Sequence, residues 1–600
     1  MSALSRRAFL ATTAASAAAF SLSPEFLAAA LAAPSQPSNV PSTLTQTIRL
    51  SSQAREQYRT LVAAPGEPYV ERTDLLRAAP RAGRTADRRS LGYLGHLSDI
   101  HIIDAQSPGR LEPLIPVSES FIDASRPQDT MTVQVLAQMV ASVERAKYSP
   151  LTGEPMSTVL NTGDSADSRN NLELGWCIDV LDGGNVTPNS GRPGEYQGVQ
   201  TWPEADYVFH PDDPDLNEFG ARGFPRLPGV LTAAVDQVVE SVGLPVPWYA
   251  VYGNHDTLFM GNIAVETQLQ TWAIGDRKAA LWPATMRMMA SWWGTNSSMF
   301  TQLVNSIRAR AEFASGVHTV TANPQRKLFD QLGFMQAHLD SPATPGPVGH
   351  GFSQQNVTTG QTWWQADVSP WLRVFGLDTC NQVVGADGAV PQDQFDWLEA
   401  GLAQAAAENK IAIVCSHHNS YTLENVAEPA IGPSQRLIHA DEFVAMLGRY
   451  PQVVAWVNGH THINTITPHP TTDGGGFWEI TTASCVDYPQ QQQTIEIVDN
   501  RDGTISLFTT CLDHDSPAEW RSGDYSQAGL GSLSRELAAN AWQFQPIPRI
   551  GSLLDRNCEL LMRAPFDLSQ ISAAQVQVER ATNTARLMAR DGLTDGGGKP

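Results

Sequence analysis

Cysteine is scarce in this chain, with six residues in 600: Cys177, Cys380, Cys415, Cys485, Cys511 and Cys558. None falls in a C-x-x-C pair, so the spacing offers no thiolate metal motif and no defined disulfide framework. The six could pair outside the cell or stay as buried thiols, and three of them close or follow predicted strands. Basic residues are outnumbered, 40 Lys and Arg against 62 Asp and Glu, giving a formal charge of −22. With no long basic run either, nucleic acid and anionic membrane are excluded as main partners. Beyond the N-terminus no stretch approaches the roughly 20 apolar residues of a membrane span. Internal repeats are also absent.

What is present is the composition of a folded chain, 42% apolar and 17% charged. Six hundred residues exceed one ordinary core, so the length predicts two or more domains or one domain with large insertions. At the N-terminus, Ser5-Arg6-Arg7-Ala8-Phe9-Leu10 opens an Ala-rich apolar stretch that ends in small residues through Ala33. A charged start, an apolar middle and an A-x-A-like end are the parts of an export signal. The arginine pair followed by Phe-Leu resembles the twin-arginine type, which implies the twin-arginine machinery as a partner. Cleavage after Ala32 or Ala30 would leave an exported chain without stable membrane insertion, in the periplasm, the cell wall or the medium. Residues 1–33 are thus read as the signal and 34–90 as an N-terminal extension.

From about Leu91 short apolar runs alternate with helical patterns. Strands are predicted at Tyr93–Ser98, Thr158–Thr162, Trp248–Tyr252, Leu372–Leu377, Ile411–Cys415 and Val453–Val457. Val133, Leu136, Val140 and Val143 mark one helical face, and Phe395, Leu398 and Leu402 another. Thr494–Val498 and Thr504–Phe508 flank the turn Asn500-Arg501-Asp502-Gly503, a hairpin signal. Alternating β and α followed by a β meander predicts an α/β chain of two packed sheets flanked by helices. Two long segments, near 170–230 and 260–365, interrupt this 91–515 core with Pro, Gly, Asn and Trp. Trp292-Trp293 and Trp363-Trp364 in the second either line a cleft or pack the insertion onto the body. Residues 516–600 read as a peripheral C-terminal extension.

Five short motifs each sit just past a predicted strand: Asp99-Ile100-His101, Gly163-Asp164-Ser165-Ala166-Asp167, Gly253-Asn254-His255-Asp256, His417-His418 and Gly459-His460-Thr461-His462. Each is weak alone. Together they place carboxylates and imidazoles at the carboxyl ends of several strands of one α/β sheet system, where such folds bind ligands. Burying that many without a counter-charge would be prohibitive, and metal cations supply one. Oxygen and imidazole donors without thiolate suit Fe, Mn or Zn.

In this order, D-x-H, G-D-x-x-D, G-N-H-[DE], a strand-end His and G-H-x-H, the motifs resemble those of the calcineurin-like metallophosphoesterases over about 90–515. The resemblance implies a two-sheet mixed β-sandwich with helices outside and a pair of divalent or mixed-valence metal ions. Asp99, His101 and His462 would hold one ion, Asn254, His417 and His460 the other, and Asp164 would bridge them. His418 is the alternative to His417 with a one-residue shift. The implied chemistry is hydrolysis of a small-molecule phosphate ester by a hydroxide shared between the metals. His255 would then bind the phosphate or protonate the leaving alkoxide, with Asp167 orienting it. Some branches carry Arg directly after that Asp, where this chain has Ser168, so Arg169 is not expected to grip phosphate.

Smaller signals read as structural: His96, His439, His210-Pro211-Asp212-Asp213 and Asp513-His514-Asp515. Phosphodiester hydrolysis is the favoured function. A phosphomonoesterase (a nucleotidase or general phosphatase) and a secreted binding protein with a vestigial metal site are the alternatives.

Overall fold

The computed structural model describes residues 41–116, 119–265, 267–281, 316–342, 344–427 and 435–594. The export-signal reading of residues 1–33 and the Trp292-Trp293 pair lie outside the described residues.

Two mixed sheets form the body. In chain order their strands are β1 (Val70–Arg72), β2 (Arg89–Leu97), β3 (Thr158–Asn161), β4 (Trp248–Ala250), β5 (Trp364–Ser369), β6 (Leu372–Gly376), β7 (Ile411–Cys415), β8 (Val453–Asn458), β9 (Thr465–Pro470), β10 (Gly476–Thr481), β11 (Gln491–Asp499), β12 (Thr504–Asp513) and β13 (Cys558–Arg563). One sheet runs β1-β13-β12-β11-β2-β3-β4 and the other β5-β6-β7-β8-β10-β9. The longer helices are α1 (Thr132–Arg145), α2 (Asn171–Asp182), α3 (Gln331–Asp340), α4 (Gln392–Ala407), α5 (Ala440–Leu447), α6 (Gln527–Asn540) and α7 (Ala573–Thr594).

Side chains alternate across a strand, and here the alternation assigns the layers. Val374, Ile413 and Cys415 share one core with Leu94, Leu160 and Ile497 of the facing sheet. Their neighbours Phe375, Ala412 and Val414 instead pack on Phe395, Leu398 and Leu402 of α4. The sheets therefore face each other with helices outside, as the sequence predicts. All six cysteines are buried free thiols. Among the described residues no helix is long and apolar enough to cross a membrane.

The long interruptions are tied down from within. Lys278 is buried and donates to Glu112 at 2.9 Å, and buried Arg326 donates to Asp104 at 2.9 Å. Trp364 is buried and donates its indole N–H to Ala250 O at 2.8 Å, so it packs β5 onto β4. Residues after 515 are not peripheral, contrary to the sequence reading. β13 pairs along β12 inside the first sheet, and α6 packs on α1. The six-residue run Cys558–Arg563 follows an irregular stretch rich in Pro and Gln, which gave no signal of a central strand.

His338 of α3 is buried, its ring packed between Phe334 and Phe352 and its Nδ1 N–H donating to Phe334 O. Burial first, then the neighbouring His350, lowers its pKa to about 3. A folded pKa below the unfolded one makes this stability complete above pH ~6.5 and progressively lost as pH falls toward 3, by at most ~1.4 kcal/mol per pH unit for this group. His338→Gln should therefore show a shallower fall in urea midpoint between pH 6.5 and 4 than wild type; parallel pH profiles would refute this.

Candidate metal centre

The strands β2, β3 and β4 run parallel, as do β6, β7 and β8, so their carboxyl ends meet at one edge of the sandwich. Asp99 and His101 follow β2, Asp164 follows β3, Asn254 follows β4, His417 follows β7, and His460 and His462 follow β8. Backbone hydrogen bonds lock these loops together: Asp99 N to Gly163 O at 3.0 Å, His101 N to Asp164 O at 2.8 Å, and Gly459 N to His417 O at 3.0 Å. Asp256 adds a stitch, its carboxylate accepting from the amides of Ser165, Ala166 and Gly253.

Two motif glycines are dictated by crowding. A Cβ on Gly253 would lie 2.1 Å from Asp164 Oδ1, and one on Gly459 would lie 1.9 Å from Ser98 Oγ and 2.3 Å from Asp99 Oδ2. Asp99, His101, Asp164, His460 and His462 all have φ between 47° and 69°. That left-handed region is uncommon for non-glycine residues and clusters at functional sites, where surrounding structure enforces it.

All seven predicted metal-site residues converge. His462 Nε2 lies 3.2 Å from Asp99 Oδ1 and 3.2 Å from His101 Nε2. His417 Nε2 lies 3.2 Å from Asp164 Oδ2 and 2.9 Å from Asn254 Oδ1, which is also 3.1 Å from His460 Nδ1. The far sides of three rings are committed as donors: His101 Nδ1 to Asp167 at 3.0 Å, His462 Nδ1 to Asp487 at 2.7 Å, and His417 Nδ1 to Thr162 O at 2.8 Å. Asn254 donates its amide to Gly261 O at 3.1 Å. The atoms facing one another are therefore lone pairs on His101, His417, His462 and Asn254, beside two buried carboxylates. Such a cluster demands positive charge. Against desolvation, Asp164 raises His417 to about 9, and Asp99 raises His462 to about 9. Against the same desolvation, the surrounding imidazoles hold Asp99 and Asp164 below the usual carboxylate range. Cations satisfy the same demand, and the groups Asp99-His101-His462 and Asp99-Asp164-His417 each bring their donor atoms within 4.8 Å of one another. The donor set, imidazole and oxygen without thiolate, fits Fe, Mn or Zn.

His417 and His418 differ in their partners, although His418 also brings a ring nitrogen within 4.8 Å of donor atoms on His417 and His460. His418 pairs with Thr379 Oγ1 at 2.8 Å through Nδ1 and Ala386 O at 2.7 Å through Nε2, so both ring nitrogens are occupied. His255 and His460 are the half-buried members and mark the open side. Asp167 differs from expectation. Its carboxylate accepts from His101 and from Arg110 Nη1 at 2.7 Å, whereas His255 Nδ1 donates to the Asp167 backbone carbonyl at 2.6 Å. The residue takes the His255 hydrogen bond through its main-chain carbonyl, while its carboxylate Oδ1 stands 3.7 Å from the same ring nitrogen. Ser168 bonds Glu173 at 2.8 Å, and Arg169 turns inward onto Thr257 O, so neither faces the centre. His96, His210 and His514 are buried against Thr162, two backbone carbonyls and Gln490.

Sequence reasoning missed the outer layer: Arg110 on Asp167, and Asp487 with Arg126 and Arg549 behind His462. Asp487 did carry a signal, since it lies in the loop after strand β10.

No family model and no curated protein matches the chain. Solved structures do. A dimetal phosphatase from Danio rerio is 11% identical, with 71% of this chain and 100% of that chain covered at a TM-score of 0.29. A purple acid phosphatase from yellow lupin is 10% identical over 78% of this chain and 55% of its own, with a TM-score of 0.26. A calcineurin-like phosphoesterase from Bacillus subtilis is 9% identical over 75% and 98%, with a TM-score of 0.23. At these scores the reading of the centre rests on its own geometry.

Gly459→Ala tests that geometry. With φ outside the left-handed range, the added methyl acts by crowding Asp99 and its neighbour Ser98. We expect a folded protein by circular dichroism whose metal affinity falls about ten- to a hundredfold. Unchanged metal content would contradict the placement of Asp99.

Proposed function

We propose that the chain is an exported two-metal phosphoesterase that hydrolyses a small-molecule phosphate ester, with diesters preferred. The observation that carries the reading is the convergence of seven side chains from five strand-end loops with their lone pairs turned toward one another. Asp99, His101 and His462 would hold one ion, Asn254, His417 and His460 a second, with Asp164 between them. Cations bound there would supply the Lewis acidity that activates water and neutralises charge building on the phosphoryl group.

The chain's own residues do the rest. His255 stands at the open side with its backbone N–H on Asp164 Oδ1 at 2.8 Å and its Nδ1 on Asp167 O. Its Nε2 is the nitrogen that can deliver a proton to the leaving alkoxide. Asp167 and Asp487 fix the tautomers of His101 and His462 so that each presents Nε2 inward. The preference for diesters has a charge argument. Arg110, Arg126 and Arg549 are committed to carboxylates, and Arg169 to a carbonyl. None is available to a phosphate dianion, whereas a diester carries one charge fewer. Export rests on the Arg6-Arg7 signal pattern.

Hydrolysis of a chromogenic phosphodiester and the matching monoester by metal-loaded protein tests this. Asp164→Asn should be inactive on both, and His255→Ala should lose about 10²–10⁴ in kcat while keeping its metal. A preference for the monoester would select the phosphatase alternative. Bound metal with no hydrolysis of either ester would select the vestigial-site alternative.

A further inference from the structure

Asp487 is buried, and both of its carboxylate oxygens are claimed. Oδ2 accepts from His462 Nδ1 at 2.7 Å and from Arg549 at 3.0 Å, and Oδ1 accepts from Arg126 Nε at 2.8 Å. Its own amide donates to Ser484 Oγ at 2.9 Å. Arg549 belongs to the segment 541–551, far along the chain from every motif. That segment grips the centre at several points. Arg549 Nε donates to Phe544 O at 2.9 Å, and the Phe544 ring lies under Arg126 at 5.1 Å. Asn464, two residues past His462, donates its amide to Arg549 O at 3.1 Å and its side chain to Ile550 O at 3.2 Å. Asn464 Oδ1 in turn accepts from Ala483 N at 2.9 Å in the loop that carries Asp487.

These contacts converge on one imidazole. His462 has a left-handed backbone, φ 57°, so its position is imposed by surroundings rather than by local preference. The ring is aimed by Asp487, Asp487 is fixed by two arginines, and the backbone beyond His462 is fixed by the same segment that carries one of them. We propose that 541–551 is a clasp that sets metal affinity, with Asp487 and Arg549 as positioning residues for His462. The proposal rests on the reading of the centre as a metal site. Of the two ion positions, the one that includes His462 depends most directly on the clasp, because at the other His417 leans on the Thr162 backbone carbonyl.

The test uses the full chain, stripped of metal and titrated with Co(II), following the ligand-field spectrum, the ion stoichiometry and the melting temperature with and without ion. Wild type should take up two ions. Arg549→Gln and Asp487→Asn should weaken one of the two about ten- to a hundredfold and keep the other. Arg549→Lys should recover part of the loss. Arg549 is the safer probe, because its removal leaves Asp487 still paired with Arg126. A clasp that served folding alone would lower the metal-free melting temperature and leave both affinities and the Co(II) spectrum as in wild type; that result overturns the proposal. Should wild type bind no ion at all, the reading of the centre falls first, and the two failures are thus told apart.

Discussion

Two carboxylates and four imidazoles share one buried edge of the sandwich, and the charge they demand governs what surrounds them. Asp99 and Asp164 are paired only with histidines and backbone amides among the described residues. One layer out, the arrangement reverses. Asp167 has Arg110, and Asp487 has Arg126 and Arg549. An arginine beside Asp99 or Asp164 would compete with a cation for the same oxygens, while an unpaired Asp167 or Asp487 would leave a buried charge uncompensated. The fold places its arginines where they quench the outer carboxylates and leaves the inner ones free to draw a cation.

Holding that centre costs backbone freedom. Five of its residues are in the left-handed region, and two glycines leave no room for a methyl group. Each such residue is disfavoured by about 1–3 kcal/mol, so the surrounding hydrogen bonds must over-determine it. Asp256, stitching three amides of two loops together, is one such restraint. Burial first, then nearby Asp164, raises it to about 7, the mark of a carboxyl held for its geometry in spite of its charge.

Much of this was legible in the sequence, for physical reasons. Continuous apolar runs such as Ile411–Cys415 and the helical face of Val133, Leu136, Val140 and Val143 report burial directly, and they match β7 and α1. Polar motifs placed just past strand ends mark themselves by position, so Asp99, Asp164 and His417 stood out as candidates, while the roles expected of them came from the family resemblance. Arg549 and β13 were not, because their roles depend on contacts across the fold that leave no local pattern. Asp167 shows the subtler limit. Its residue type pointed to the right neighbourhood, but that its carbonyl takes the His255 hydrogen bond while its carboxylate takes Arg110 depends on contacts that no spacing rule records.

The position of β13 also says something about how this chain can be made. The strand sits between β12 and β1, and Val70 finds its sheet partner only in Cys558. A chain emerging from the ribosome therefore carries Val70–Arg72 without its sheet partner until nearly all of the sequence has been synthesised. Such long-range closure is slow and leaves strand edges exposed meanwhile. The molecule should depend on chaperones during synthesis more than its finished core suggests.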